Sequence, residues 1–503
     1  MKNYFLFFLL NFSLAFSQSP LIQWQLFSNN SYPGNRPKKI LATSDNGYLV
    51  LSTKDTNCKL VKLDNNGNVI WERSIGGSAN EDAVDIKQTN DGGYILIAST
   101  QSNDGDVSGH HGLPFGSNTQ DVWVVKLNNL GIIQWQKCFG GTSTDLGRSI
   151  IQTTDGGYVF ASDSESINGD LNGLSCGGNN DYWIVKIDTL GTIEWQKCFG
   201  GTYYDYPIEI IQTVDGGYIV GGHSNSTNGY VTSYYGNYDF WIVKINNLGT
   251  LEWQKSFGGQ YMDLITGIVQ TLDGGYIIGG GTSVGNSGNF SYGGAWRFLK
   301  LNNSGNIIWN KSLPSRWGTQ FSQMKINPSN DHISIIGSDY TYASQYNTNI
   351  EIDHLDQNGN LISKYTFGGT AEDFGTSVDF TSDNGLIILC DARSTNGDII
   401  SSNPSNYNKV WIAKISPQIL ATENFIYSNK VNLYPNPVKD LLYISLLNFD
   451  ISKIEIYDNL GRLVVKELYN NNEINLSYLK SGIYFVNFIN KNGEVVTKKI
   501  FKE

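Results

Sequence analysis

One motif recurs along this chain. Trp-Gln-Lys-x-Phe-Gly-Gly, or a close variant, sets its aromatic residue at Trp71, Trp135, Trp195, Trp253, Trp309 and Tyr365, in steps of 64, 60, 58, 56 and 56 residues. Two further landmarks share the period. Thr-x-Asp-Gly-Gly-Tyr and its decayed forms place an acid at Asp45, Asp91, Asp155, Asp215, Asp273, Asp331 and Asp383. An alternating segment such as DYWIVKID starts at Cys58, Asp121, Asp181, Asp239, Ala295, Asn349 and Lys409. A fixed period of this length marks a chain built from repeated supersecondary units.

Each unit reads as four strands. RSIIQT from Arg148 is the first, and the Gly-Gly pair then reverses the chain, because glycine tolerates positive φ. YVFASDS from Tyr158 is the second, and a long polar loop follows it. DYWIVKID alternates with period 2, and TIEWQKCF is the fourth strand. Four antiparallel strands, repeated around a ring, make the blades of a β-propeller. The second and third landmarks each occur seven times. The last unit stops after its third strand at KVWIAKIS, while LIQWQLF from Leu21 matches a fourth strand. Trp24 is therefore predicted to lie in the strand that completes the seventh blade. That join closes the ring and removes two exposed sheet edges.

The predicted fold is all-β: a seven-bladed β-propeller followed by a small C-terminal β-sandwich. Residues 1–17 read as a signal peptide, with Lys2 at its start, an apolar run from Tyr4 to Phe16, and small Ala15 and Ser17 before the cut. The propeller spans 18–416, a linker 417–429 and the C-terminal domain 430–503. After the signal peptide no stretch approaches the ~20 apolar residues of a transmembrane helix. The net charge of −11, with no basic block, argues against a nucleic-acid partner.

The strand order resembles WD-repeat propellers, without their His and Trp-Asp signature. It is closer to the Gly-Gly-Tyr propeller repeats of secreted Bacteroidetes proteins, over Leu21 to Ser416. The motifs YPNP, IYDNLGR, SGIYFV and the terminal KKI resemble the type A sorting domain of the type IX secretion system, over Leu433 to Glu503. That resemblance implies a partner, the type IX machinery. It also implies export across the outer membrane, and then release or attachment to surface lipopolysaccharide.

The five cysteines, Cys58, Cys138, Cys176, Cys198 and Cys390, show no disulfide spacing, although export would permit bridges. Cys138 and Cys198 hold equivalent places in successive units, predicted too far apart to bond, and most of the five read as small buried residues.

Candidate sites fall on the rim that carries the long loops. An acid follows each Gly-Gly pair at Glu81, Asp145, Asp205, Asp263 and Asp373. Ringing the channel mouth, these would hold a hard cation such as calcium. A residue repeated in every blade serves the blade, so turn capping is the stronger reading. Asn-Gly-Asp or Asp-Gly-Asp, ending at Asp106, Asp170 and Asp398, lacks the distal Glu of an EF-hand, and ion binding there is the weaker reading. Tyrosines crowd the same rim. Tyr203, Tyr204, Tyr206, Tyr234, Tyr235 and Tyr261 are the candidate ligand-binding set, with Tyr230, Tyr238, Tyr292, Tyr340, Tyr342 and Tyr346 nearby in sequence. A flat apolar ring with a hydroxyl suits a glycan or protein surface, against loop packing as the alternative. His110 and His111, beside Asp106, would admit a metal or acid/base role but read more simply as solvated. No catalytic residues are assigned. The function read from the sequence is a secreted or surface binding module. The alternatives are a carbohydrate-active enzyme, glycosidase or lyase, and a structural surface protein.

Overall fold

The computed structural model describes residues 22–27, 36–112, 119–174, 176, 178–283, 295–314, 320–327, 331–340, 348–399, 409–416, 431–434, 437–446, 451–458, 462–468, 473–490 and 495–503. The predicted signal peptide and linker lie outside these residues. The chain divides into two units, Met1–Pro417 and Gln418–Glu503.

The first unit is a seven-bladed propeller. Blade three shows the pattern. Asp145–Gln152, Tyr158–Ser164, Asp181–Ile187 and Ile193–Phe199 pair in chain order, each antiparallel to the last. The second and third strands are buried at every position, because neighbouring blades cover both faces. The fourth strand, at the outer edge, is only partly covered. A bulge at Gly147/Ser149 bends the first strand, and each other blade has one at the matching place, as at Ala83/Asp85 and Pro207/Glu209.

The N-terminal strand closes the ring as the sequence predicts. Ile22–Phe27 pairs antiparallel with Lys409–Ile415, the third strand of blade seven, with Leu26 opposite Ile412. Trp411 donates its indole N–H to Gln25 Oε1 at 2.9 Å. Trp183 makes the same bond to Gln196, and Trp241 to Gln254. The Gln of the Trp-Gln-Lys motif is thus the acceptor for the buried third-strand Trp, and Gln25 plays that part from the other end of the chain. Blade seven then packs on blade one through Ile387, Leu389, Val410 and Ile412 against Ile40, Val50 and Leu63.

The motif Trp itself reaches the next blade. Trp24 lies over Gly67 of blade one and donates its indole N–H to Asn65 O at 3.0 Å. Gly67 has φ +83°, and a Cβ there would stand 2.8 Å from the Trp24 ring. Trp71 over Gly131 and Trp195 over Gly249 repeat the contact.

One expectation about cysteine is corrected. Cys176 and Cys198 form a disulfide within blade three, from the loop after its second strand to its fourth strand. The equivalent pair, Cys138 and Cys198, does not bond. Cys58, Cys138 and Cys390 are free and buried, as read.

The C-terminal unit is a two-sheet sandwich. Val431–Tyr434, Leu441–Leu446 and Glu473–Asn475 form one sheet. Leu463–Leu468, Ile451–Asp458, Gly482–Asn490 and Val495–Lys502 form the other. Its core joins Leu442 and Ile444 to Ile454, Ile456, Val486, Phe488 and Ile500.

Candidate functional site

Strand register places the loop rim. Asp145, at the start of a first strand, faces Ser164 at the end of the second, which faces Asp181 at the start of the third. The loop from second to third strand and the Gly-Gly connection between blades therefore share one rim.

The repeated acids are spent on that connection. Glu81, Asp145, Asp205, Asp263 and Asp373 are all buried. Each accepts the N–H of the glycine four residues earlier: Gly77, Gly141, Gly201, Gly259 and Gly369, at 2.8–3.1 Å. Hydroxyls add to this, from Thr100 to Glu81, from Ser164 and Ser166 to Asp145, and from Ser226 to Asp205. Burial pushes Asp145 and Asp205 up to about 6 despite these bonds, with Asp121 and Asp181 adding repulsion. Among the described residues the five carboxylates do not converge on one point. The one group of three ligand atoms within 4.8 Å is Cys176, Asp181 and Cys198, and the disulfide already occupies its sulfurs.

The Asn-Gly-Asp loops clamp the same connection. Asn168 Oδ1 accepts from Thr142 N at 2.9 Å, and Asp170 Oδ2 accepts from Gly140 N at 3.1 Å. Asp106 does the same for Gly76, and Asp398 for Gly368. The two histidines are not simply solvated. His111 Nδ1 lies 2.8 Å from Asp121 Oδ2, which raises the His111 pKa, while the His110 side chain is buried beside the same carboxylate.

The tyrosines divide. Tyr204 and Tyr206 stack, with ring centroids 5.9 Å apart and planes at 14°. Tyr206 also meets Tyr238 and His223. Tyr203, Tyr204, Tyr230, Tyr234 and Tyr235 expose their rings. Their backbones are pinned: Tyr203 N donates to Ser226 Oγ, Tyr204 N to Asn225 Oδ1 and Tyr235 N to Asp239 Oδ2. Tyr261 is half-buried. Tyr292, Tyr342, Tyr346 and the side chain of Tyr340 lie outside the described residues.

A group that breaks the sevenfold pattern stands behind this shelf. Arg148 Nε donates to buried Asp163, and Asn180 Nδ2 donates to its other oxygen at 3.2 Å. His223 is driven down to about 3 by burial, with Arg148 adding repulsion. Sequence reasoning passed over Arg148, Asp163 and His223, because each sits inside an otherwise regular strand. The innermost strands carry paired charges: Asp85 pairs with Lys39 at 3.6 Å and Lys87 at 2.9 Å, and Lys325 with Asp379 at 3.7 Å.

The terminal unit identifies the route the chain takes. Residues 432–503 match the family described as Secretion system C-terminal sorting domain. The chain carries a type IX secretion sorting domain. Proteins so marked are secreted or attached to the outer cell surface, and this one is of that kind. A 113-residue stretch is 31% identical to an endo-acting ulvan lyase of Formosa agariphila, covering 22% of this chain and 22% of that protein, so the chain spans about a fifth of the relative's length. Among solved structures, virginiamycin B lyase from Staphylococcus aureus is similar at 12% identity, with TM-score 0.46 over 78% of this chain and 99% of that one. PorZ, a surface component of the type IX system of Porphyromonas gingivalis, is similar at 11% identity, with TM-score 0.26 over 94% and 82%. The blade topology, rather than these likenesses, defines the propeller. No helix among the described residues is long and apolar enough to cross a membrane.

Proposed function

We propose that this chain is a secreted or surface-displayed binding protein that takes a saccharide on the tyrosine shelf around blade four. One observation carries the reading: exposed rings stand on backbones already fixed by hydrogen bonds. Such a face binds without first ordering a loop, which saves the entropy that a mobile site loses. A tyrosine ring offers its flat face to the C–H face of a pyranose and its hydroxyl to the sugar's hydroxyls.

A second reading, a carbohydrate-active enzyme, draws support from Arg148, Asp163 and His223, which depart from the repeat beside Tyr206. The binding reading is preferred because both Asp163 oxygens are occupied by Arg148 and Asn180. That leaves Asp163 without a free oxygen to act as acid or base.

A glycan array tests this with the full chain and two variants, Tyr204→Ala/Tyr206→Ala and Tyr203→Ala/Tyr234→Ala/Tyr235→Ala. The reading expects a wild-type hit that weakens at least tenfold in both. The second variant changes only exposed rings, so its loss of binding is not a loss of fold. A hit unchanged in both variants rules out the shelf. New reducing ends or unsaturated products from the bound glycan would favour the enzyme.

A further inference from the structure

The arginine behind the tyrosine shelf stands at a place where the repeat has no fixed residue. Each first strand bulges, and the bulged residue is the uncharged Val84, Ile208, Thr266, Ser322 or Thr376 in five blades. Two blades put a cation there, Lys38 in blade one and Arg148 in blade three. Both pair with an acid, but the pairs face opposite ways. In blade one the acid is the more open partner, with side-chain exposures of 25% for Lys38 and 44% for Asp82. In blade three Arg148 is 31% exposed and Asp163 is fully buried. Solvent therefore meets the positive end of the Arg148–Asp163 pair.

One residue joins this pair to the shelf. Asn180 Nδ2 donates to Asp163 Oδ2 at 3.2 Å. The same Asn180 bridges to Tyr204, and its carbonyl accepts from Asp205 N at 2.8 Å. Tyr204 in turn stacks on Tyr206. Burial pushes the Tyr206 phenol up to about 12, with Asp163 adding to the rise and Arg148 opposing it, so both members of the pair lie close to that ring. Burial keeps the neighbouring His223 neutral, so it brings no charge of its own.

The hold of Arg148 on Asp163 runs through Nε. That contact leaves both Nη groups to donate to a second acceptor. A guanidinium fork fits an oxyanion with paired hydrogen bonds, and such charge-assisted bonds are roughly twice as strong as neutral ones. The net charge of −11 repels anions only over distances that salt screens beyond about 8 Å, so the local group decides.

We propose that the saccharide taken by this shelf is acidic, and that the Nη groups of Arg148 hold its carboxylate or sulfate while its ring lies against the tyrosines. This rests on the shelf reading above and adds the charge of the ligand. A neutral sugar would meet the same rings but give the fork only hydroxyls.

The test presents the full chain with matched glycans, the same backbones uncharged, carboxylated and sulfated. Arg148→Lys keeps the charge and loses the fork. Arg148→Gln/Asp163→Asn removes both charges and keeps a hydrogen-bonding pair. Tyr203→Ala/Tyr234→Ala/Tyr235→Ala reports on the shelf. The proposal expects a charged glycan to bind at least about tenfold more tightly than its uncharged match, and to lose about that much in both Arg148 variants. Added salt should weaken it, and the carboxylated and sulfated members tell which oxyanion is held. Uncharged glycans that bind equally well, and fall only in the tyrosine variant, overturn this inference and leave the shelf reading standing. Acidic glycans bound unchanged by both Arg148 variants also overturn it. No binding of any class sinks both readings. Should neither Arg148 variant fold, the wild type decides, because equal binding of charged and uncharged matches at low salt overturns the proposal.

Discussion

The second glycine of each Thr-x-Asp-Gly-Gly turn is demanded by a backbone carbonyl of the third strand, with a lysine ammonium beside it. Lys126 Nζ, from the third strand, pairs with Asp91 Oδ2 at 2.9 Å, and a Cβ on Gly93 would stand 2.7 Å from that ammonium and 2.3 Å from Leu127 O. The first glycine, Gly92, is needed for its φ of +78°, and in blades one and seven an asparagine, Asn46 or Asn384, takes that conformation. Lys62, Lys186, Lys244, Lys300 and Lys414 repeat the pairing with Asp45, Asp155, Asp215, Asp273 and Asp383. Gly93→Ala should therefore cost about 1–3 kcal/mol, read by thermal unfolding. Asp145→Ala strands the Gly141 N–H and the hydroxyls of Ser164 and Ser166, and should cost about 1–3 kcal/mol for each buried donor left unmet. A stability equal to wild type would remove the capping role. The turn was legible in sequence because Gly-Gly has few other uses. The lysine was not, since one polar residue in a strand reads as solvent-facing until the neighbouring turn is placed over it. The rim acids were legible as a set but not as a role, because an acid repeated in five blades looks the same whether it caps a turn or holds an ion.

Strands and their order could be read from the period, and the missing fourth strand at one end matched the spare one at the other. What could not be read were features that occur once. Cys176 and Cys198 lie 22 residues apart and bond within one blade, but nothing in the other blades repeats the pair. Closing a loop of that length contributes roughly 3 kcal/mol in the chain-entropy account, so dithiothreitol should lower Tm, and Cys176→Ser should match the reduced protein. Equal Tm with and without reductant would show that the bond contributes nothing. Blade six hides a difference in the same way. NIEIDHLD keeps the alternation of its siblings, and only register shows that Glu351 stands where Trp183 and Trp241 do in theirs. Trp24 belongs at this scale as well. It packs on Gly67 and donates to Asn65 O, so Trp24→Ala should cost about 3 kcal/mol by analogy with other large-to-small changes, measured by chemical denaturation.

The whole molecule titrates in two opposing sets. Asp145, Asp205 and Asp239 have folded pKa values pushed up to about 6, chiefly by burial. A carboxyl raised above its unfolded value of about 4 stabilises the fold below that value, and the gain is lost as pH rises through about 6. The turn acids run the other way. Burial opposes ionisation of Asp91 and Asp273, but hydrogen bonds from Thr89 and Lys126, and from Lys300 and Thr271, outweigh it and hold both near 2. Their contribution is present above about pH 4 and lost as pH falls toward 2. Tm should therefore climb as pH drops from about 7 to about 4, then decline. A Tm that rises steadily up to pH 8 would contradict the buried-acid half of this account.

The loop rim is one continuous face only if the ring is closed, and closure rests on six residues from the far end of the chain. Thermal unfolding and gel filtration of the chain lacking Ile22–Phe27, beside the intact chain, test this directly. Closure predicts a clearly lower Tm and self-association through the bared edge of Lys409–Ile415. An unchanged Tm and a monomeric truncated chain would show that the N-terminal strand does not complete blade seven.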